Sequence, residues 1–148
     1  MSVQALTQAM LDEADLIDEL LELVIEQREA VKADDRELMQ DLMKDIQDVF
    51  FSVQTQEAQR ARLARFLAAN LDCEPRLSSL AAAVPDEERA LFKGAGDRLG
   101  YVVFALKSEM AILNSLIERN ERFSAMLLSE WRRLDAGFTR AGGLDFRG

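Results

Sequence analysis

Apolar residues recur at Val3, Leu6, Met10, Ile17, Leu20, Val24 and Val31, in steps of three and four broken only at Glu13 and Gln27. That period marks one face of a helix, here about 30 residues and roughly 45 Å long. Leu16, Leu21, Leu23 and Ile25 widen the stripe beyond the seam of a two-stranded coiled coil, so burial against more than one neighbour is expected. Asp34 then offers a capping box: it can accept from the amide of Glu37, whose carboxylate can reach back to the Asp34 amide. A second helix, about 35–70, should follow, with its stripe at Met39, Leu42, Ile46, Val49, Val53, Leu63 and Leu67 and with Gln56 and Arg60 polar at inward positions. Two long helices joined this closely must lie antiparallel.

Between Asn70 and Gly100 the pattern changes. Pro75 and Pro85 bracket a short helix, about 76–84, carried by Leu77, Leu80 and Val84. Pro85 followed by Asp86, Glu87 and Glu88 is a good helix start, because proline lacks an amide there and acids suit the positive end of the dipole. Gly94, Gly96 and Gly100 read either as a break in this helix, about 86–135, or as close helix packing. The strongest stripe runs Leu99, Val103, Leu106, Met110, Leu113, Ile117, Asn120, Leu127, Trp131 and Leu134, skipping Ser124. A second one comprises Ile112, Leu116, Phe123 and Met126, interrupted by Arg119. It would pack on the hairpin or wait for a partner's helix. Asn120 serves as a register device or faces water. Tyr101, at the start of the strongest stripe, is expected in the core. The helix should end near Gly137, leaving 138–148 as a flexible tail with Phe138 and Phe146 exposed. The fold class is all-α: a long antiparallel helical hairpin packed with a third long helix, forming an elongated bundle in one domain over 1–137.

Charge divides this chain in two. Overall, 27 acidic and 18 basic residues give −9 over 148 residues. Residues 1–74 carry 17 acidic and 7 basic side chains, whereas 75–148 carry 10 and 11, so the acidity belongs to the hairpin. Such a surface repels phosphate backbones, and no nucleic-acid partner is expected. The Asp and Glu runs read as a solvated face rather than a cation site, since no loop of fixed oxygen geometry is visible. The start of the chain lacks a basic region and soon meets Asp12, Glu13 and Asp15, unlike a secretory signal. No membrane span is expected either, and the chain reads as cytoplasmic.

Histidine is absent and cysteine occurs once, at Cys73. Histidine-dependent triads, di-iron sites and zinc sites are thereby excluded. No nucleophile with a base can be assembled, so no catalytic residue, metal or cofactor is assigned. What remains is a helical surface that binds something.

The run Leu20 to Asp34 (LLELVIEQREAVKAD), with Leu38, Leu42, Lys44 and Asp45, resembles the FlgN family of flagellar export chaperones. Members share a leucine-rich first helix, a Glu-rich turn with Ala-Leu-x-x-x-Asp, then Leu-x-x-Leu and a later Arg-x-x-Leu. Val31 stands where leucine is usual, Arg60 to Leu63 supply the later element, and Asn114 and Asn120 match asparagines of the last helix. Phe138 to Gly142 keep the spacing of a Tyr-x-x-x-Gly tail without the hydroxyl. The resemblance implies a cytosolic chaperone that holds the C-terminal helical segment of hook-filament junction proteins, prevents their premature assembly and brings them to the type III export apparatus. It also implicates the C-terminal half in client contact, which on this chain means Leu116, Phe123, Met126, Leu127, Trp131 and Phe138, with Trp131 as the anchor. Two other readings stay open: a scaffolding coiled-coil homo-oligomer that buries the second stripe in itself, and an adaptor of another secretion system.

Overall fold

The structure, a computed structural model, describes residues 2–120 and 124–140. Among the described residues there are five helices and no strand: α1 (Ser2–Ala33), α2 (Arg36–Leu71), α3 (Leu77–Ala83), α4 (Asp86–Arg119) and α5 (Ala125–Arg140). Helix α1 packs along both α2 and α4, which explains why its stripe is too wide for a single seam. Leu6, Met10, Ile17, Leu20 and Val24 of α1 join Met39, Met43, Ile46 and Val53 of α2 and Leu99, Leu106 and Leu113 of α4 in one buried core. Burying each such side chain is worth about 1.5–3 kcal/mol, so this core dominates stability.

The turn from α1 to α2 differs from the expected capping box by one residue. Asp34 lies in the left-handed region, at φ 55°. Its amide donates to the Val31 carbonyl at 3.2 Å, and the Asp35 amide donates to Ala30 at 3.0 Å, a Schellman closure of α1. With Asp34 spent on ending one helix, Asp35 caps the next by accepting from the Leu38 amide at 3.1 Å. Asp72 repeats the device at the end of α2, at φ 53°.

Helix α4 starts at Asp86 after Pro85 and runs unbroken through Gly94, Gly96 and Gly100. Gly96 lies where an added Cβ would sit 3.6 Å from Leu77 of α3, so close packing holds at this one glycine, whereas Gly94 and Gly100 face open space. Arg89, in the first turns of α4, donates to the carbonyls of Ala81 (2.8 Å) and Val84 (2.9 Å) and so caps α3. By length and composition α4 is apolar enough to cross a bilayer, contrary to the sequence reading. Its buried face is nevertheless committed to α1, and Glu109 within it pairs with Arg28 of α1 at 2.6 Å.

The break falls elsewhere. Helix α4 stops at Arg119, with Asn120 in extended backbone as its C-cap. The Asn120 side chain donates from Nδ2 to the Val31 carbonyl at 3.3 Å, pinning the end of α4 to the end of α1. Ser124 then accepts from the Leu127 amide at 3.2 Å and opens α5. Helix α5 continues past Gly137 to Arg140, so Phe138 is helical and buried rather than part of a tail. Residues 141–148, including Phe146, lie outside the described residues.

Candidate functional site

Two kinds of inward polar residue organise the molecule. On the seam between α1 and α2, each interruption of a stripe finds its partner on the other helix. Gln27 donates from Nε2 to the Met39 carbonyl at 3.0 Å, and Gln56 donates to the Ala9 carbonyl at 3.3 Å. Arg60 donates from Nε to Glu13 Oε1 at 3.1 Å and from Nη2 to Glu57 Oε1 at 2.6 Å. Glu13 is fully buried. Desolvation, and then its hydrogen bond to and repulsion by Glu57, push its carboxyl up to about 9, against the pull of Arg60. Burial works against the Arg60 charge, but the two glutamates outweigh it and raise its pKa. At neutral pH the cluster therefore holds a protonated Glu13 beside an Arg60–Glu57 pair, so the buried net charge stays near zero.

The second kind lies under α5. This helix presents Leu127, Trp131, Leu134 and Phe138, all buried, at the i, i+4, i+7 and i+11 spacing of one helical face. Phe138 meets Phe50 of α2 with ring centroids 6.3 Å apart and planes tilted by 51°. Gly137 brings the backbone close, since a Cβ there would lie 3.4 Å from the Phe50 ring. From α4, Asn114 accepts the indole N–H of Trp131 on Oδ1 and donates from Nδ2 to Asp135 at 3.2 Å. One amide thus reads a donor and an acceptor placed four residues apart on α5. The result is a helix seated by four apolar anchors and one bidentate amide.

Of the client-contact residues expected from sequence, the structure brings Leu127, Trp131 and Phe138 together on the inward face of α5. Leu116 is half-buried against the core, and Met126 is exposed at 63%. Phe123 lies outside the described residues. The sequence reading missed Asn114 as an organiser of this seat and Phe50 as its wall. It also placed Tyr101 in the core, whereas Tyr101 is 74% exposed and Phe104, one turn on, is 71% exposed. Position 101 is two residues from both Leu99 and Val103, which at about 100° per residue puts it on the opposite side of the helix. With Ile112, half of which is open, these residues extend the second stripe along an uncovered face of α4.

Among the described residues no group of three or more acids or cysteines is placed to hold a metal ion. The chemistry on offer is helix recognition. No curated protein and no solved structure matches the chain. A family model described as FlgN protein matches residues 1–142, spanning all five helices, the asparagines of α4 and the seated α5 alike. On that match the chain belongs to the FlgN family and is a flagellar export chaperone.

Proposed function

We propose that this chaperone binds hook-filament junction proteins through their C-terminal helical segment, keeps them from assembling early and passes them to the export apparatus in the cytoplasm. The family match over residues 1–142 carries this reading. The physics supports it: an assembly-competent amphipathic helix is kept soluble when its apolar face lies against another helix pair, and that exchange needs no catalytic group. The client contact belongs where Asn114 of α4 meets α5, around Leu116, Met126, Leu127, Trp131 and Phe138, with Phe123 joining them on the sequence reading alone. Met126 faces solvent there, while Trp131 and Phe138 line the interior of the same region.

Co-expression with hook-filament junction proteins tests the reading. A soluble one-to-one complex that is lost when the client's C-terminal segment is deleted is the expected result. If the client stays soluble without the chaperone, or binds through another segment, the reading fails.

A further inference from the structure

We propose that the outward face of α2 is a second docking surface, beyond the chaperone reading above, and that its occupant is a single partner helix, basic at one end, apolar in the middle and acidic at the other end. Helix α2 turns Phe51 and Phe66 into solvent, 70% and 59% exposed. At about 100° and 1.5 Å per residue, the two rings stand within about 60° of each other and about 22 Å apart along one face. Between them lies an open depression of about 540 Å³, lined by Gln54, Thr55, Ala58, Gln59 and Arg62. A solvated helix face ordinarily carries charge, yet from Phe51 to Gln59 the one charged residue is Glu57, which is turned to Arg60 at 2.6 Å. Phe50 walls α5 through Phe138, so the surface that begins at Phe51 lies on an adjoining side of α2 and leaves α5 in place.

The charge along this face changes sign. Before Phe51 the exposed charges are mostly acidic, with Asp41, Asp45 and Asp48 against Lys44. Beyond Gln59 they are Arg62 and Arg65, both exposed and neither in an ion pair among the described residues. That order selects the occupant. A partner laid along α2 meets acids, then an uncharged window bounded by a phenyl ring, then two arginines and the second ring, so the complementary helix is basic, apolar and acidic in turn. Apolar residues about four turns apart on it cover the two rings, and acids three or four positions apart meet Arg62 and Arg65. Phosphate backbones and anionic bilayers present one sign over a broad front, and the acids beside the window hold them off. A narrow helix of mixed charge meets no such conflict.

The test uses the full chain and a labelled, alanine-based synthetic helix of about six turns, with lysines in its first turns, leucines along one side of its middle and glutamates in its last turns. Two companion peptides carry lysines at both ends or glutamates at both ends. Fluorescence anisotropy should show the mixed-charge peptide binding at least about tenfold tighter than either companion. Arg62→Glu with Arg65→Glu should weaken it at least about tenfold and make the lysine-ended companion the tightest binder, a charge-swap rescue that a merely unfolded variant would not give. Phe51→Ser with Phe66→Ser should weaken all three peptides while helicity by circular dichroism is kept, since both rings are exposed. No binding of the mixed-charge peptide, equal binding of all three, or indifference to either pair of substitutions overturns the proposal. Binding of phosphatidylglycerol vesicles that is lost with Arg62 and Arg65 gives the face to a bilayer, and self-association that is lost with Phe51 and Phe66 gives it to a second copy; either overturns it as well. None of the peptides is a junction protein, so each of these failures leaves the chaperone reading standing.

Discussion

The seam between α1 and α2 and the seat of α5 are both helix-on-helix contacts, yet they are specified differently. The seam carries three cross-helix polar connections, at Gln27, Gln56 and Arg60, each satisfied only in one register. Sliding α2 by one turn would part Arg60 from Glu13 and strand a buried carboxyl and two amides, at about 1–3 kcal/mol for each neutral group. The seat carries one polar contact, at Asn114, and otherwise asks only for apolar residues at the right spacing. Register is thus fixed by polar pairs at the seam, while the seat is set chiefly by the spacing of its apolar anchors. Polar residues inside an apolar stripe can in this way lock a pair of helices.

The largest way to break this contrast is Arg60→Ala. It removes the cation from between Glu13 and Glu57 and should cost about 3 kcal/mol or more, read as a drop in the global denaturation midpoint. Next comes pH. Glu13 is protonated in the fold with a value of about 9 and would ionise near the ordinary glutamate value of 4.5 when unfolded, so the folded state binds the extra proton in between. This contribution is fully present below about 4.5 and is lost as pH rises through 9, with a slope of at most about 1.4 kcal/mol per pH unit. Thermal melts from pH 6 to 9 should fall for the parent chain and flatten for Glu13→Gln. If Glu13→Gln falls just as steeply, the seam does not hold the proton. Smaller, and confined to the seat, is Asn114→Ala, which strands the Trp131 indole N–H at about 1–2 kcal/mol. Hydrogen exchange should quicken across 125–140 while the buried amides of α1 and α2 keep their protection. Smallest is Tyr101→Ser with Phe104→Ser on the open face of α4, expected to change the melting midpoint by no more than about 0.5 kcal/mol equivalent. A large loss there would mean that this face is covered in solution.

Much of the fold was legible because periodicity is a local signal: the hairpin, the connecting helix and the third long helix all follow from steps of three and four. The polar interruptions were visible too, as Glu13, Gln27, Gln56 and Arg60, but their pairing depends on register, which one helix read alone does not contain. Near the other end the same signal misled. Asn120 and Ser124 sit at inward positions of a continuous stripe, and the period runs straight through them. One ends α4, its side chain turned to the Val31 carbonyl at the end of α1, and the other begins α5 by accepting from the Leu127 amide, a group that a continuing helix would have satisfied itself. Gly137 looked like a stop, yet it lies within α5 facing the Phe50 ring, where a larger residue would crowd the wall. The client-contact residues were chosen for size and apolarity, which single out anchors without saying whether this chain's own interior claims them first. Asn114 was noted only by resemblance, since a lone asparagine among apolar residues carries no spacing of its own.

The Val31 carbonyl accepts from the Asp34 amide and also from the Asn120 side chain. A single oxygen therefore joins the last turn of α1, the bend leading into α2 and the terminus of α4, so three 30-odd-residue rods meet at one knot. The shared acceptor also works as a gauge of length: it sets the end of α4 level with the end of α1, and one residue added to either helix, a rise of about 1.5 Å and a turn of about 100°, would carry donor and acceptor apart.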